Sequence, residues 1–330
     1  MRIYLLASLL TLSCITACSK SIEDTQETRF MMGTLVSFTI VNIEPKQAKQ
    51  AIRLAADEMQ RIENIFTIYG DIHNDVKAFN QSPINILYPL NPEVAGLLSI
   101  AMQVAQQSHG GFSPTLASLN KLWGFSQAIP PTSPPSMNAI TEHLQGTQNC
   151  LIQKNQGWIR TSQNCQLDFG AIAKGYAIDR GIETLKQHGI EHAMIDAGGD
   201  IRIIGQHGSQ PWRIGIRDPR QHDKIIGILN LQGDASVVTS GDYERFYMYQ
   251  GKRYHHILDP KTGMPSQKNQ SVTVIAGNAT LADAWSTALF VSGEKGLSLA
   301  QSNHIQTLII DHQGIQQQSK GMPLSLPTSQ

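Results

Sequence analysis

Apolar residues fall at Ala48, Ile52, Ala55, Met59, Ile62 and Phe66, alternating steps of four and three. That spacing lays one buried stripe along a helix opening at Pro45. A second helix is predicted after Asn91-Pro92, a cap followed by proline in the first turn, and it ends at Gly110-Gly111. A third runs over 175–188, stopped by Gly189, and another over 281–291. Short apolar runs at 33–40, 193–196, 201–204, 212–217, 226–231, 271–276 and 307–310 predict strands. Strands and helices mix without strict βαβ alternation, so the expected class is α+β with mixed or antiparallel sheets. Residues 129–136 hold four prolines and predict a surface loop; the tail around Gln316-Gln317-Gln318 reads as irregular.

Composition changes the picture mainly at the N-terminus. Arg2 precedes an apolar run from Ile3 to Leu10, too short for a membrane span and followed by small residues, as in a secretory signal. Ile15-Thr16-Ala17-Cys18 resembles the lipobox of bacterial lipoproteins, in which the cysteine is lipidated. The expected organisation is a signal over 1–17, a polar tether over 18–29 and one catalytic domain over 30–330, held at a membrane through Cys18; an ordinary cleaved signal is the alternative. With formal net charge +0 and no basic block, nucleic acid is not an expected partner. Cys150 and Cys165 flank a polar stretch that suits a hairpin, and an exported compartment permits a disulfide. A structural bridge is favoured, with two free thiols left open.

Four segments could carry chemistry. Asp283 and Thr287 lie four apart and share one face of a helix, offering the hard oxygen ligands that Mg²⁺ takes. In Leu167-Asp168-Phe169-Gly170-Ala171-Ile172-Ala173-Lys174, a strand-ending aspartate precedes a glycine and a lysine at a helix start, a setting that favours phosphate without being a Walker loop. Ala197-Gly198-Gly199-Asp200 joins two apolar strands through a tight turn. Thr239-Ser240-Gly241-Asp242-Tyr243 precedes Tyr254-His255-His256, where a histidine could serve as general base. No spacing matches a zinc site or a serine nucleophile elbow.

Together with Met32-Gly33-Thr34, Leu122-Trp123-Gly124-Phe125, His256-Ile257-Leu258-Asp259-Pro260 and Thr262-Gly263, these segments resemble the ApbE-type FAD:protein FMN transferases over about residues 30–310. The resemblance implies an α+β fold similar to the T-fold, with FAD as substrate and Mg²⁺ bound. It implies transfer of FMN to a threonine or serine hydroxyl of an acceptor, a subunit of a membrane redox complex, with release of AMP. It places the activity on the periplasmic face of the inner membrane. By position, Asp283, Thr287 and the Ala171 carbonyl would hold the metal. Met32, Tyr69, Gly111, Phe112, Ser113, Asp168, Lys174 and Leu258 would contact FAD, and His256 would be catalytic. Two departures stand out: Ser113 replaces an aspartate common in the family, and Ser286 replaces a second carboxylate found in some members, leaving a less charged metal site. An Mg²⁺-dependent FAD pyrophosphatase and a non-enzymatic flavin-binding lipoprotein are the rival expectations.

Overall fold

The computed structural model describes residues 23–326 apart from 128, 130 and 222; the predicted signal segment and Cys18 lie outside the described residues. In chain order, strands β1 (Thr25–Met31) and β2 (Thr34–Ile40) precede helices α1 (Pro45–Phe66), α2 (Asp75–Gln81), α3 (Pro92–Gln107), α4 (Ala117–Trp123) and α5 (Met137–Leu144). The hairpin β3 (Leu151–Lys154) and β4 (Gly157–Arg160) leads to α6 (Ala173–Gln187), β5 (Ala193–Ala197), β6 (Asp200–Ile204), β7 (Trp212–Arg217) and β8 (Ile225–Leu231). Next come β9 (Ala235–Gly241), a second hairpin of β10 (Phe246–Tyr249) and β11 (Lys252–His255), and β12 (Asn269–Ala276). The chain closes with α7 (Ala279–Ser292), α8 (Gly296–Ser302), β13 (Gln306–Asp311), β14 (Gln316–Gln318) and β15 (Leu324–Ser325).

Eight strands form one sheet in the order β1-β2-β5-β6-β9-β12-β13-β14, and every neighbouring pair is antiparallel. The fold is therefore α+β with antiparallel pairing, as the sequence predicts. Both faces of the sheet are covered. Ile204, Val238, Val272, Val274 and Ile309 join the core beneath α1, α6 and α7, while Ile203, Val237, Ile275 and Leu308 pack against the small sheet β15-β8-β7. Adjacent residues pointing to opposite cores are the period of two expected of strands buried on both sides. The stripe along α1 is buried at all six predicted positions. A third apolar cluster unites α4, α5 and the β10–β11 hairpin around Trp123, whose Nε1 donates to the Gly263 carbonyl at 2.8 Å.

Helices α2, α4, α5 and α8 and strands β9 to β11 are not among the predicted elements, and others differ in kind or extent. Residues 25–29, assigned to the tether, belong to β1, which pairs with β2 throughout its length. Its alternation is polar, with only Thr25 and Met31 buried, so no apolar signal marks it. The glutamine tail forms β14, an edge strand whose three side chains are all exposed and which is held by backbone pairing to β13. Helix α6 starts two residues earlier than predicted, at Ala173. Cys150 and Cys165 form a disulfide across the base of the β3–β4 hairpin.

Candidate active site

The site is built where the first turns of α6 and α7 meet. Gly175 makes the approach possible: a Cβ there would lie 2.1 Å from the Ala279 oxygen and 2.9 Å from Asp283 Cβ. Asp179, one turn further along α6, accepts from Ala279 N–H at 2.8 Å and Thr280 N–H at 2.9 Å, and from the Thr280 hydroxyl. It thus caps α7 from outside that helix and fixes the rotation of the face bearing Asp283 and Thr287. Arg202 of β6 balances the buried Asp179 charge with a bond of 2.6 Å.

Asp283 returns the favour to α6. The N-cap position of α6 is Ile172, which has no side-chain acceptor to offer. Gly175 N–H, one of the first-turn donors that have no partner within the helix, donates to Asp283 Oδ2 at 3.0 Å. Among the described residues, no backbone donor reaches the Ala171 carbonyl. Thr287 Oγ1 lies 3.2 Å from Ser240 Oγ of β9, and Ser286 Oγ lies 2.8 Å from the same hydroxyl.

Charge in this cluster is unbalanced. Lys174 Nζ sits 2.6 Å from Asp200 Oδ2, and Asp200 and Asp283 are both buried. Burial disfavours the Lys174 ammonium, but the Asp200 and Asp283 carboxylates outweigh it and its pKa is raised. Asp200 is pushed up by burial, which Lys174 offsets only in part. Asp283 is pushed up to about 7, by burial first and by repulsion from Asp200 second. Two desolvated carboxylates share one ammonium, so one further positive charge would relieve both. A carboxylate, a neighbouring hydroxyl and a backbone carbonyl just ahead of the helix start, with no backbone donor on it, are all hard oxygen donors, which suits a Mg²⁺-type cation. The donor set therefore fits the metal that the sequence suggests.

A second group of predicted residues borders this cluster. Asp168 accepts from Asn120 Nδ2 at 2.6 Å and Gly170 N–H at 2.8 Å. Tyr69 feels burial first and the Asp168 charge second, both raising its pKa, and its hydroxyl bonds Ser126. Arg245 Nη1 donates to the same serine at 3.3 Å. The Tyr69 loop is clamped by Lys77 Nζ, which donates to the carbonyls of Tyr69, Gly70 and Ile72 at 2.7, 2.8 and 2.9 Å. Met32 occupies the β1–β2 turn with φ of 54°, beside Gly33 at 69°, as a two-residue hairpin turn requires. Its N–H donates to Glu63 Oε2 near the end of α1, the helix that leads into Tyr69.

His256 follows β11. Its Nδ1 lies 3.3 Å from the Arg245 carbonyl, an acceptor, so Nδ1 carries the proton and Nε2 keeps its lone pair. Burial first, then the positive charge of Arg245, holds its pKa well below the usual histidine value, so the ring is neutral near pH 7.

The remaining predicted residues lie on neighbouring segments, and the Pro114 carbonyl, next to Ser113, accepts from Asp168 N–H at 2.9 Å. Phe112 is buried in the main core and Leu258 in the Trp123 cluster. Ser113 Oγ is 2.8 Å from Thr115 Oγ1. Gly111 abuts the far half of α7, where an added Cβ would meet the Ala288 oxygen at 2.8 Å, and it lines a separate cavity of about 780 Å³ with Asp259, Lys261 and Ser292. Sequence reasoning gave no role to Asp200, Asp179 or Arg245. Asp200 closes the Gly198-Gly199 turn and carries a visible signal there; Arg245, two residues past Tyr243, carries none.

Residues 32–309 match the model of the ApbE family. The chain belongs to that family. A FAD:protein FMN transferase of Rhodobacter capsulatus is 33% identical over 82% of this chain, which spans 52% of that relative's length. A FAD:protein FMN transferase of Vibrio cholerae serotype O1 is 27% identical over 92% of both chains. The crystal structure of the ApbE protein of Thermotoga maritima superposes with a TM-score of 0.83 at 34% identity, covering 90% of this chain and 97% of that one. The apo flavinyl transferase ApbE of Pseudomonas stutzeri gives 0.79 at 31% identity, with 90% and 95% covered. The antiparallel α+β architecture of this ApbE member is thus the one its solved relatives share.

Proposed function

We propose that this ApbE member transfers the FMN half of FAD onto a threonine or serine hydroxyl of an acceptor protein and releases AMP. The observation that carries this reading is the buried Asp200–Lys174–Asp283 cluster at the α6 N-terminus, short of one positive charge. Asp283, Thr287 and the Ala171 carbonyl would hold Mg²⁺, which when bound neutralises charge on the pyrophosphate and aligns it. Lys174, in the first turn of α6, favours phosphate oxygens. Tyr69, Asp168 and Asn120 offer polar contacts to the rest of the dinucleotide. His256 Nε2 takes the proton of the acceptor hydroxyl as its oxygen attacks the FMN-side phosphorus. The new P–O bond forms as the bond to the AMP phosphate breaks, and AMP departs with the electron pair.

The names of the relatives support the reaction class. The lipobox-like Cys18 supports attachment to the periplasmic face of the inner membrane, with a membrane redox subunit as acceptor. Incubation with FAD, Mg²⁺ and a candidate acceptor tests the reading: covalent flavin fluorescence on the acceptor is expected. Free FMN and AMP with no adduct, for every acceptor tried, would make the protein a pyrophosphatase; FAD left bound and intact would make it a binding protein.

A further inference from the structure

A second polar cavity, of about 290 Å³, lies outside the cluster described above. Arg220, Asp242, Arg253, His255, Ser266 and Gln270 are among its lining residues. Arg220 donates to both oxygens of Asp242, at 2.7 Å each, and to the Pro219 carbonyl at 3.1 Å. Arg253 Nη1 adds a third donor to Asp242 at 2.9 Å. One carboxylate thus faces two guanidinium groups. The bidentate Arg220–Asp242 pair is internally neutral, Asp218 also faces Arg220, and Arg253 brings a second guanidinium to Asp242.

Arg253 is also held in place. Its guanidinium lies 4.4 Å from the centroid of the Phe246 ring, and its own carbonyl accepts from Gln267 Nε2 at 3.3 Å. Among the described residues, its Nε and Nη2 have no acceptor. That edge is the planar fork which matches two oxygens of a phosphate or carboxylate. Ser266 is 3% exposed, and its hydroxyl has no partner among the described residues. His255 adds no charge. Ile257 N–H lies 3.3 Å from its Nδ1, so Nε2 carries the proton and donates to the Ser266 carbonyl at 2.6 Å.

A cation finds no place here, because guanidinium donors already occupy both Asp242 oxygens. An apolar ligand would strand the Arg253 edge without an acceptor. At ~30 Å³ per water, the cavity holds roughly ten waters, enough for a tetrahedral oxyanion bearing a small ester arm. We propose that this cavity is a phosphate-type oxyanion site, with the Nε–Nη2 edge of Arg253 as its bidentate donor and Ser266 as a supporting hydroxyl. Inorganic phosphate and a phosphate monoester present the same chemistry to that fork.

Calorimetric titration of the full protein, free of FAD and metal, tests this with inorganic phosphate, AMP and uncharged adenosine. Saturable binding of phosphate is expected, with adenosine silent. Because AMP is also the product at the α6 site, only the part of its binding lost in Arg253→Met counts here. If that part is tighter than phosphate the cavity takes monoesters, and if equal it takes phosphate itself. Arg253→Met should weaken binding about tenfold or more, the scale of losing a charge-assisted pair. It leaves Asp242 neutralised by Arg220, so no buried charge is stranded, and a melting curve checks that the fold persists. Arg253→Lys keeps the charge without the fork and should bind several-fold more weakly than the parent. Lys174→Ala should not change the affinity, which separates this cavity from the α6 N-terminus. Absence of saturable binding, or affinity unchanged in both Arg253 variants, would overturn the proposal.

Discussion

Replacing Gly175 by alanine probes the contact between α6 and α7 on which the site depends. The new Cβ would stand 2.1 Å from the Ala279 oxygen and 2.5 Å from its carbonyl carbon, where ordinary contact begins at 3.4 Å. The obstacle is backbone, so the two helix starts must part by about 1 Å. Alanine's helix preference returns at most ~1 kcal/mol. Overpacking of this kind costs ~1–3 kcal/mol, so the net loss is about 0–2 kcal/mol. For a chain of 330 residues that lowers the melting temperature by at most roughly 3 °C. The catalytic loss should be far larger than the loss of stability. Asp283 takes its bond from Gly175 N–H, and a displacement of ~1 Å in a positioned group costs on the order of 10²-fold in rate. Turnover measured by covalent flavin fluorescence, beside a melting curve, separates the two effects. Gly96→Ala is the control: its Cβ meets nothing within 4 Å on an exposed position of α3, so it should stabilise by up to ~1 kcal/mol and leave turnover alone. Parent-level turnover in Gly175→Ala would show that the close approach does not matter to the chemistry.

Other outcomes follow from the same geometry. Because burial and Asp200 raise the Asp283 pKa to about 7, its ionisation opposes folding as pH rises from the unfolded value of ~3.9 through that range. Asp283→Ala should therefore melt no lower than the parent at pH 8 without metal, yet lose both Mg²⁺-induced stabilisation and transfer; retained Mg²⁺ stabilisation would remove Asp283 from the metal site. His256→Ala should keep FAD affinity in equilibrium titration and lose turnover by about 10²-fold or more, whereas unchanged turnover would exclude it as the base. Burial lowers the His255 pKa, so the unfolded chain takes up a proton more readily and stability falls as pH drops below ~6.5. Urea midpoints at pH 7.5 and 5.5 should differ less in His255→Asn than in the parent. Reducing the Cys150–Cys165 bridge, which closes a separation of 15 residues, should cost ~3 kcal/mol by chain entropy; an unchanged urea midpoint would count against it.

Much of the scaffold is legible because the core is periodic. The four-three stripe of α1 and the apolar strands mark buried faces, and the cap Asn91 marks a helix start. Elements whose stability comes from pairing rather than burial leave no such mark: β1 alternates polar residues and β14 is three exposed glutamines. Half of the site is equally local. Asp283 and Thr287 share a helix face by spacing alone, and Lys174 opens a helix after a glycine. What sequence cannot display is the pairing across 108 residues that brings Gly175 N–H to Asp283. Nor does it display the placement of Asp200 against Lys174, a second buried carboxylate that lies close by although Ser286 replaces the one found in some relatives. The Leu258 side chain joins the aromatic cluster around Trp123, a contact between segments far apart in sequence.

The most direct test of the central claim, that a divalent cation at the α6–α7 junction drives cleavage of the FAD phosphoanhydride, is a metal titration. Chelator-treated protein is mixed with FAD and acceptor, Mg²⁺ is added stepwise, and AMP and the acceptor adduct are quantified together by mass spectrometry. The account predicts neither product without metal, then saturable formation of both in equal amounts. AMP and adduct formed at the same rate in chelator as in excess Mg²⁺ would contradict it.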